Sequence, residues 1–369
     1  MKLSSLSLQS FRNLDATRIE FCDGFNILFG SNAQGKTNLL ESIFLLGTLK
    51  SFRLAKNSEL INWGSSFSLI KGKVESDGVS HNLALLIEKS GKKVRVDAKT
   101  VNRLAEFFGL LTVSLFCPEE LGMVRGVPDL RRRFLDRAIF AGDIHYLTSH
   151  HEYSRIHRQR NVLLKSGDFD SLEPWNMQLA QAGARLTACR IAYIKEIAIL
   201  LENAYRQITG TADVADISYR SGVSGYSSDA AANTKLILDE LERLQNQEKI
   251  QRTTLAGPHR DDVAFSLNGR PLKQAASQGQ QRCYVLALKM AEIEYLFHCH
   301  GQAPILLLDD MTSELDRERT DNLLHFLTEK KMQVFITTTS PDLVGRIGQH
   351  DRLRMFHVKQ GSIQIQNQD

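Results

Sequence analysis

A chain of 369 residues, 42% hydrophobic and 24% charged, has the balance of a globular protein able to bury a core. Its length suits two domains, or one head carrying an insertion. The formal net charge of only +4 leaves any nucleic-acid role to a local basic face. Five cysteines (Cys22, Cys117, Cys189, Cys283 and Cys299) are an odd number with no C-x-x-C pair, which argues against a disulfide framework or a zinc site and for a reducing cytosol. Met1-Lys2-Leu3-Ser4 leads into alternating apolar and polar residues rather than the apolar core of a signal peptide. The longest apolar stretch, Ile191–Leu201, is broken by Lys195 and Glu196, so no membrane span is expected. The expected setting is cytoplasmic.

In chain order, Leu3, Leu6, Leu8 and Phe11 open in strand fashion, and Phe25–Phe29 is a short apolar run that ends at a glycine. Asn38–Leu49 reads as a helix. Strand signals follow at Phe67–Val74 and Leu83–Ile87, with Gly78 and Gly91 as turn candidates. After Pro118 the character changes: Leu130–Phe140, Ile144–Leu164 and Met177–Ile208 have helical periodicity. Ser221–Ser228 is rich in glycine and serine, and Ala231–Ile250 reads as another amphipathic helix. Strand signals return at Val263–Leu267, Ile305–Leu308 and Val334–Thr337. The pattern predicts an α/β head made from both ends of the chain, 1–118 and 251–369. A mostly helical lobe, 119–250, interrupts it, with 213–223 a candidate return to the head. No repeat is visible, nor a heptad run long enough for an extended coiled coil.

Gly30-Ser31-Asn32-Ala33-Gln34-Gly35-Lys36-Thr37 fits the phosphate-loop pattern G-x-x-x-x-G-K-[ST]. Glycines let backbone N–H groups wrap the phosphates of ATP, Lys36 reaches the β- and γ-phosphates, and Thr37 places its hydroxyl on Mg²⁺. The helix that starts here turns its positive end toward the anion. By average residue usage, a chain of this length meets the pattern by chance roughly once in a hundred, and the flanking strand and helix lower those odds. Ile305–Leu308 is a buried-type strand that ends in Asp309-Asp310. Beside a phosphate loop, Asp309 is placed for the Mg²⁺ shell and Asp310 for the attacking water. Ser313-Glu314-Leu315-Asp316 reads as a tight turn before a helix. Ser277-Gln278-Gly279-Gln280, taken alone, reads as a helix start with a serine N-cap. Its place between the phosphate loop and Asp309 favours a binder of a terminal phosphate.

The order phosphate loop, S-x-G-Q, acidic strand and S-x-L-D resembles ATPase heads of the ABC and SMC class. That resemblance implies that Ser277, Gly279 and Gln280 meet the γ-phosphate held by a second protomer, so that ATP joins a head-to-tail homodimer. Ser10-Phe11-Arg12-Asn13, Gly30–Asn38, Ser51-Phe52-Arg53, Phe116–Leu121 and Arg131–Asp136 resemble the RecF family of bacterial recombination-repair ATPases. So do Gln159-Arg160-Asn161, Gly257-Pro258-His259-Arg260-Asp261-Asp262 and Leu307–Asp316. The resemblance spans nearly the whole chain in order. It implies ATP-driven dimerisation on gapped or junction DNA, slow hydrolysis as a release switch, and loading of RecA with RecO and RecR. It also makes Arg12 a candidate for the nucleotide and Arg53 one for the nucleotide or for DNA, with an exposed structural arginine the other reading of Arg53.

His259-Arg260-Asp261 superficially matches a kinase catalytic loop, but no D-F-G follows and the phosphate loop is of another type. Arg131, Arg155, Arg158 and Arg160 belong to the strongest basic concentration of the helical lobe. Arg155 and Arg158 are i, i+3 neighbours on one helix face. These arginines read either as phosphate contacts, salt-sensitive and indifferent to sequence, or as a solvated face. Two rivals come from other classes. A transporter's ATPase subunit is disfavoured by the large insertion and by Thr337-Thr338-Thr339 where that class has a histidine. An ATPase-coupled nuclease would need a further cluster of metal-binding side chains, which the sequence does not display.

Overall fold

The computed structural model describes residues 1–14, 16–101, 106–310, 317–339 and 352–366. The first part of the chain forms β1 (Lys2–Gln9), β2 (Thr17–Glu20), β3 (Phe25–Phe29), β4 (Phe67–Ser76), β5 (Val79–Glu88), β6 (Gly91–Val96), β7 (Lys99–Thr100) and β8 (Val113–Phe116). The rest adds β9 (Ala215–Arg220), β10 (Asp262–Leu267), β11 (Arg270–Pro271), β12 (Ile305–Leu308), β13 (Val334–Thr338), β14 (Leu353–Lys359) and β15 (Ser362–Gln366). The chain divides into two compact units. One contains Met1–Leu121, Gln207–Gly210 and Glu292–Asp369, the other Gly122–Arg206 and Thr211–Ala291.

The first unit has two six-stranded sheets, in the orders β2-β1-β4-β5-β6-β7 and β15-β14-β3-β13-β12-β8. The former is antiparallel, and its strands alternate buried and exposed positions, as a sheet with one wet face must. In the latter, β3, β8, β12, β13 and β14 run parallel. Ile305–Leu308 and Val334–Thr338 are buried at every position, the unbroken apolar run expected of a strand covered on both faces. The helix Lys36–Thr48 packs on β4 and β5 of the first sheet and on β8 and β13 of the second. It is buried all round, from Leu39 to Gly47, which fits a helix enclosed by protein rather than lying at a surface. Leu6, Ile70 and Leu85 from the first sheet and Leu28, Leu307 and Phe335 from the second join it in one core.

The second unit is built on the helices Pro128–Gly142, His145–Ser166 and Ala230–Gln251 and most of Leu172–Thr209. It also holds a three-stranded sheet in the order β11-β10-β9. β9 pairs antiparallel with β10 along its whole length, from Ala215↔Leu267 to Arg220↔Asp262. The segment 213–223 thus pairs with a strand of the 251–369 stretch assigned above to the head, and both strands fold with this second unit. The return of strand character near residue 251 and the end of the second compact unit at Ala291 mark different events: β10, β11 and the start of the helix Gln278–His300 stay with the helical unit. Among the described residues, no helix is long and apolar enough to cross a membrane.

Candidate functional site

The parallel sheet brings three strand ends together. β13 lies between β3 and β12, with Thr338 in register with Phe29 and Ile336 in register with Leu308. The loop after β3, the carboxylates after β12 and the threonines at the end of β13 thus meet at one edge, where open α/β sheets bind ligands. Gly30 leaves β3 at φ 147°, and a Cβ there would stand 2.4 Å from the Val358 carbonyl oxygen of β14, so only glycine fits. Gly35, at φ 117°, caps the helix Lys36–Thr48, whose first turn carries no acidic residue. The positive end of that helix is therefore left for an anion. The turn between β14 and β15 braces the loop from outside: Gly361 N donates to Gln34 O at 3.0 Å and Gln360 N to Gln34 Oε1 at 2.7 Å.

Lys36 is nearly buried, and its Nζ donates to the carbonyls of Gly30 at 2.7 Å and Ser31 at 2.9 Å. Burial lowers its pKa from the ordinary lysine value, while the carboxylates of Asp310 and Asp309 pull it back up. The Thr37 hydroxyl donates to Asp309 Oδ1 at 3.0 Å, and the Thr337 hydroxyl donates to the same oxygen at 2.7 Å. Asp310 N in turn donates to Thr337 Oγ1 at 2.9 Å. One threonine on β13 thus ties both aspartates together. Asp310 has φ 50°, an uncommon backbone for a residue other than glycine and a recurrent feature of functional sites.

Asn32, Ala33, Gln34, Gly35, Lys36, Thr37, Arg53, Asp309 and Asp310, all singled out from the sequence, line one cavity of about 450 Å³. That volume falls within the range of small-ligand sites. Asn13, Asn38, Thr337 and Thr339 line it too and are not among the predicted site residues. Asn13 and Asn38 lie within motif segments, whereas Thr337 is placed by sheet order, which the sequence does not display. Arg12 is not among the lining residues. Its guanidinium forks onto the buried Glu41, with Nε at 2.5 Å and Nη2 at 2.9 Å. Ser277, Gly279 and Gln280 start the helix Gln278–His300 in the second unit. Gln280 N donates to Ser277 Oγ at 3.2 Å and Ser277 N to Gln280 Oε1 at 2.9 Å, a reciprocal cap of the S-x-x-Q kind. Ser313–Asp316 lies outside the described residues.

One of the arginines read as DNA candidates is interior, which corrects that reading for it, and a second, Arg131, is half-buried in an ion pair. Arg160 is 1% exposed and donates to Glu248 at 2.6 Å, Thr254 at 2.9 Å and Asn176 at 2.8 Å. Arg131 forks onto Asp262 at 2.8 and 2.7 Å and donates to the Gly126 carbonyl at 2.8 Å. Arg155 and Arg158 are exposed on the helix His145–Ser166. Gly257, Pro258 and Asp261 of the Gly257–Asp262 motif are buried, whereas Arg260 is exposed. Tyr153 Oη lies 2.6 Å from His259 Nδ1, while Tyr219 and Ser221 donate to Asp261 at 2.7 and 3.0 Å. Burial raises the pKa of Asp261 even so. Burial opposes ionisation of Asp136 as well, yet Arg190, His150 and Tyr146 hold its carboxyl well below the usual range. Arg190 also donates to the Pro258 carbonyl at 2.7 Å. Segments that resemble family motifs are therefore brought together here in one largely buried polar network.

Residues 2–364 match the family described as RecF/RecN/SMC N terminal domain. The DNA replication and repair protein RecF of Geotalea uraniireducens is 52% identical over 363 residues, which cover 98% of this chain and 100% of the relative. Among solved structures, one described as the recombination mediator protein RecF-ATP in the RecFOR pathway aligns at 30% identity and a TM-score of 0.89, covering 99% of each chain. The Smc head domain of Pyrococcus furiosus, at 14% identity and a TM-score of 0.57, shares the fold. With a phosphate loop, an acidic strand end and a full-length match of this closeness, the chain belongs to the RecF family.

Proposed function

We propose that this protein is an ATP-dependent DNA-binding protein of recombinational repair and replication. ATP binding joins two copies on gapped or junction DNA, and slow hydrolysis releases them. The observation that carries the nucleotide reading is the 3.0 Å bond from the Thr37 hydroxyl to Asp309, which joins the phosphate loop to the acidic strand at one point. The likeness to a RecF–ATP structure over 99% of the chain supports ATP as the ligand.

A hydroxyl and a carboxylate oxygen 3.0 Å apart are hard donors of the kind Mg²⁺ takes from a protein when waters and phosphates complete its shell. Thr37 and Asp309 would hold the ion, which neutralises phosphate charge when bound. Lys36 exchanges its two carbonyl partners for the β- and γ-phosphates, and the loop N–H groups take the remaining oxygens. Arg53 adds a cation at the rim. Asp310 orients the attacking water, its backbone held by Thr337. Ser277, Gly279 and Gln280 of one copy close the site of the other with a helix N-terminus. Family membership supports RecO and RecR as partners and the cytoplasm as the setting. Hydrolysis measured with and without gapped DNA tests the reading. Slow turnover that gapped DNA accelerates supports it, whereas turnover indifferent to DNA removes the DNA-coupled switch.

A further inference from the structure

We propose that Glu41, which does not line the nucleotide cavity, is a positioning residue that holds Arg53 at its rim. The proposal rests on the nucleotide reading above. Glu41 is fully buried in the middle of an otherwise largely apolar helix, a costly place for a carboxylate unless every lone pair is used. Its partners come from both segments that flank the cavity. Arg12 donates Nε to Oε2 at 2.5 Å and Nη2 to Oε1 at 2.9 Å. Ser51 donates its hydroxyl to Oε1 at 2.5 Å.

Each partner stands next to a residue of the cavity. The Ser51 oxygen accepts Arg53 N at 3.1 Å, which fixes the backbone from which the Arg53 side chain reaches the cavity. Arg53 Nη1 donates to Asn38 Oδ1 at 3.0 Å, and Asn38 Nδ2 donates to Asn13 Oδ1 at 2.6 Å. Asn13 follows Arg12 directly, so the ring of bonds closes on Glu41. The charge has a second consequence. By neutralising Arg12, Glu41 leaves Arg53 as the arginine of the pair that faces the ligand. An apolar residue of similar volume would fill the space but leave Arg12 only the Glu59 carbonyl, without a counter-charge.

A double-mutant cycle read by equilibrium binding of a fluorescent ATP analogue tests this, with Lys36→Ala as the control for the site itself. Glu41→Gln keeps the shape and removes the charge. It should weaken binding about tenfold, as should Arg53→Ala, each by the worth of a charge-assisted contact. Because Glu41 acts through Arg53, the double variant should bind no more weakly than Arg53→Ala alone. Losses that multiply, or an unchanged affinity for Glu41→Gln, would overturn the proposal. If the thermal midpoint of Glu41→Gln collapses, Ser51→Ala enters the same cycle, and multiplying losses there overturn the proposal equally. If Lys36→Ala binds as tightly as the unmodified protein, the nucleotide reading falls instead.

Discussion

Lys36 and Thr337 show how charge and hydrogen bonding are divided in the cavity. Lys36 is the cation inside the loop, and its partners in this structure are two carbonyls that a phosphate can replace without leaving a charge stranded. Lys36→Ala should therefore weaken ATP binding by about a hundredfold or more, since a buried phosphate loses its charge-assisted donor. Equilibrium binding of a fluorescent analogue checks this, and unchanged affinity contradicts the loop assignment. Thr337 has a different role, donating to Asp309 and accepting from Asp310 N. Thr337→Val keeps the shape but leaves both groups short of a partner. ATP affinity should stay within about threefold while hydrolysis slows about tenfold, because Asp310 loses its orientation. Steady-state kinetics separates the two effects, and an unchanged kcat would make Thr337 mere packing. The loop was legible because its spacing is local. Thr337 was not, because its place depends on β13 lying between β3 and β12.

At the scale of elements, the helix His145–Ser166 carries basic residues with opposite fates. Arg155 and Arg158 face solvent, whereas Arg160 turns inward to a glutamate 88 residues away. No local pattern announces such a partner, which is why a run of arginines could be read as one face. Removing Arg160 leaves Glu248, itself 1% exposed, as an uncompensated buried charge. Arg160→Ala should cost about 3–5 kcal/mol of stability in denaturant unfolding. A loss under about 1 kcal/mol would mean that water reaches the pair. Near it, the rings of His157 and His259 lie with centroids 4.1 Å apart. Burial, and then nearby positive charge, holds their pKa values down to about 4 and about 3. An unfolded chain takes up these protons near pH 6.5, and the folded chain only well below that. In that window the unfolded state binds more protons, so stability falls as the pH drops from about 6.5 toward 4. Unfolding midpoints at about pH 7 and about pH 5 check this, and equal midpoints contradict it.

For the whole molecule, the strong strands and long helices could be read from periodicity, while β2, β6, β7, β8, β9, β11, β14 and β15 could not. β9 and β15 carry many exposed polar positions, and β6 begins at Gly91, which reads as a turn. The head built from both chain ends was legible. The small sheet that stays with the helical unit was not, because β9 and β10 are separated in sequence by a whole helix. The trans site is the part of the account that a single chain leaves most exposed to test. Ser277 is exposed at a helix N-terminus, joined to Gln280 by a local cap, so a larger side chain there has room in the isolated chain. Ser277→Arg should bind ATP nearly as well as the unmodified protein, since Lys36, Thr37 and Asp309 are untouched. Sedimentation of the unmodified protein and of Ser277→Arg with ATP and Mg²⁺ decides whether the site is shared between two copies. The unmodified protein should dimerise and Ser277→Arg should stay monomeric with its nucleotide bound; a Ser277→Arg protein that dimerises as readily would rule out a site completed in trans.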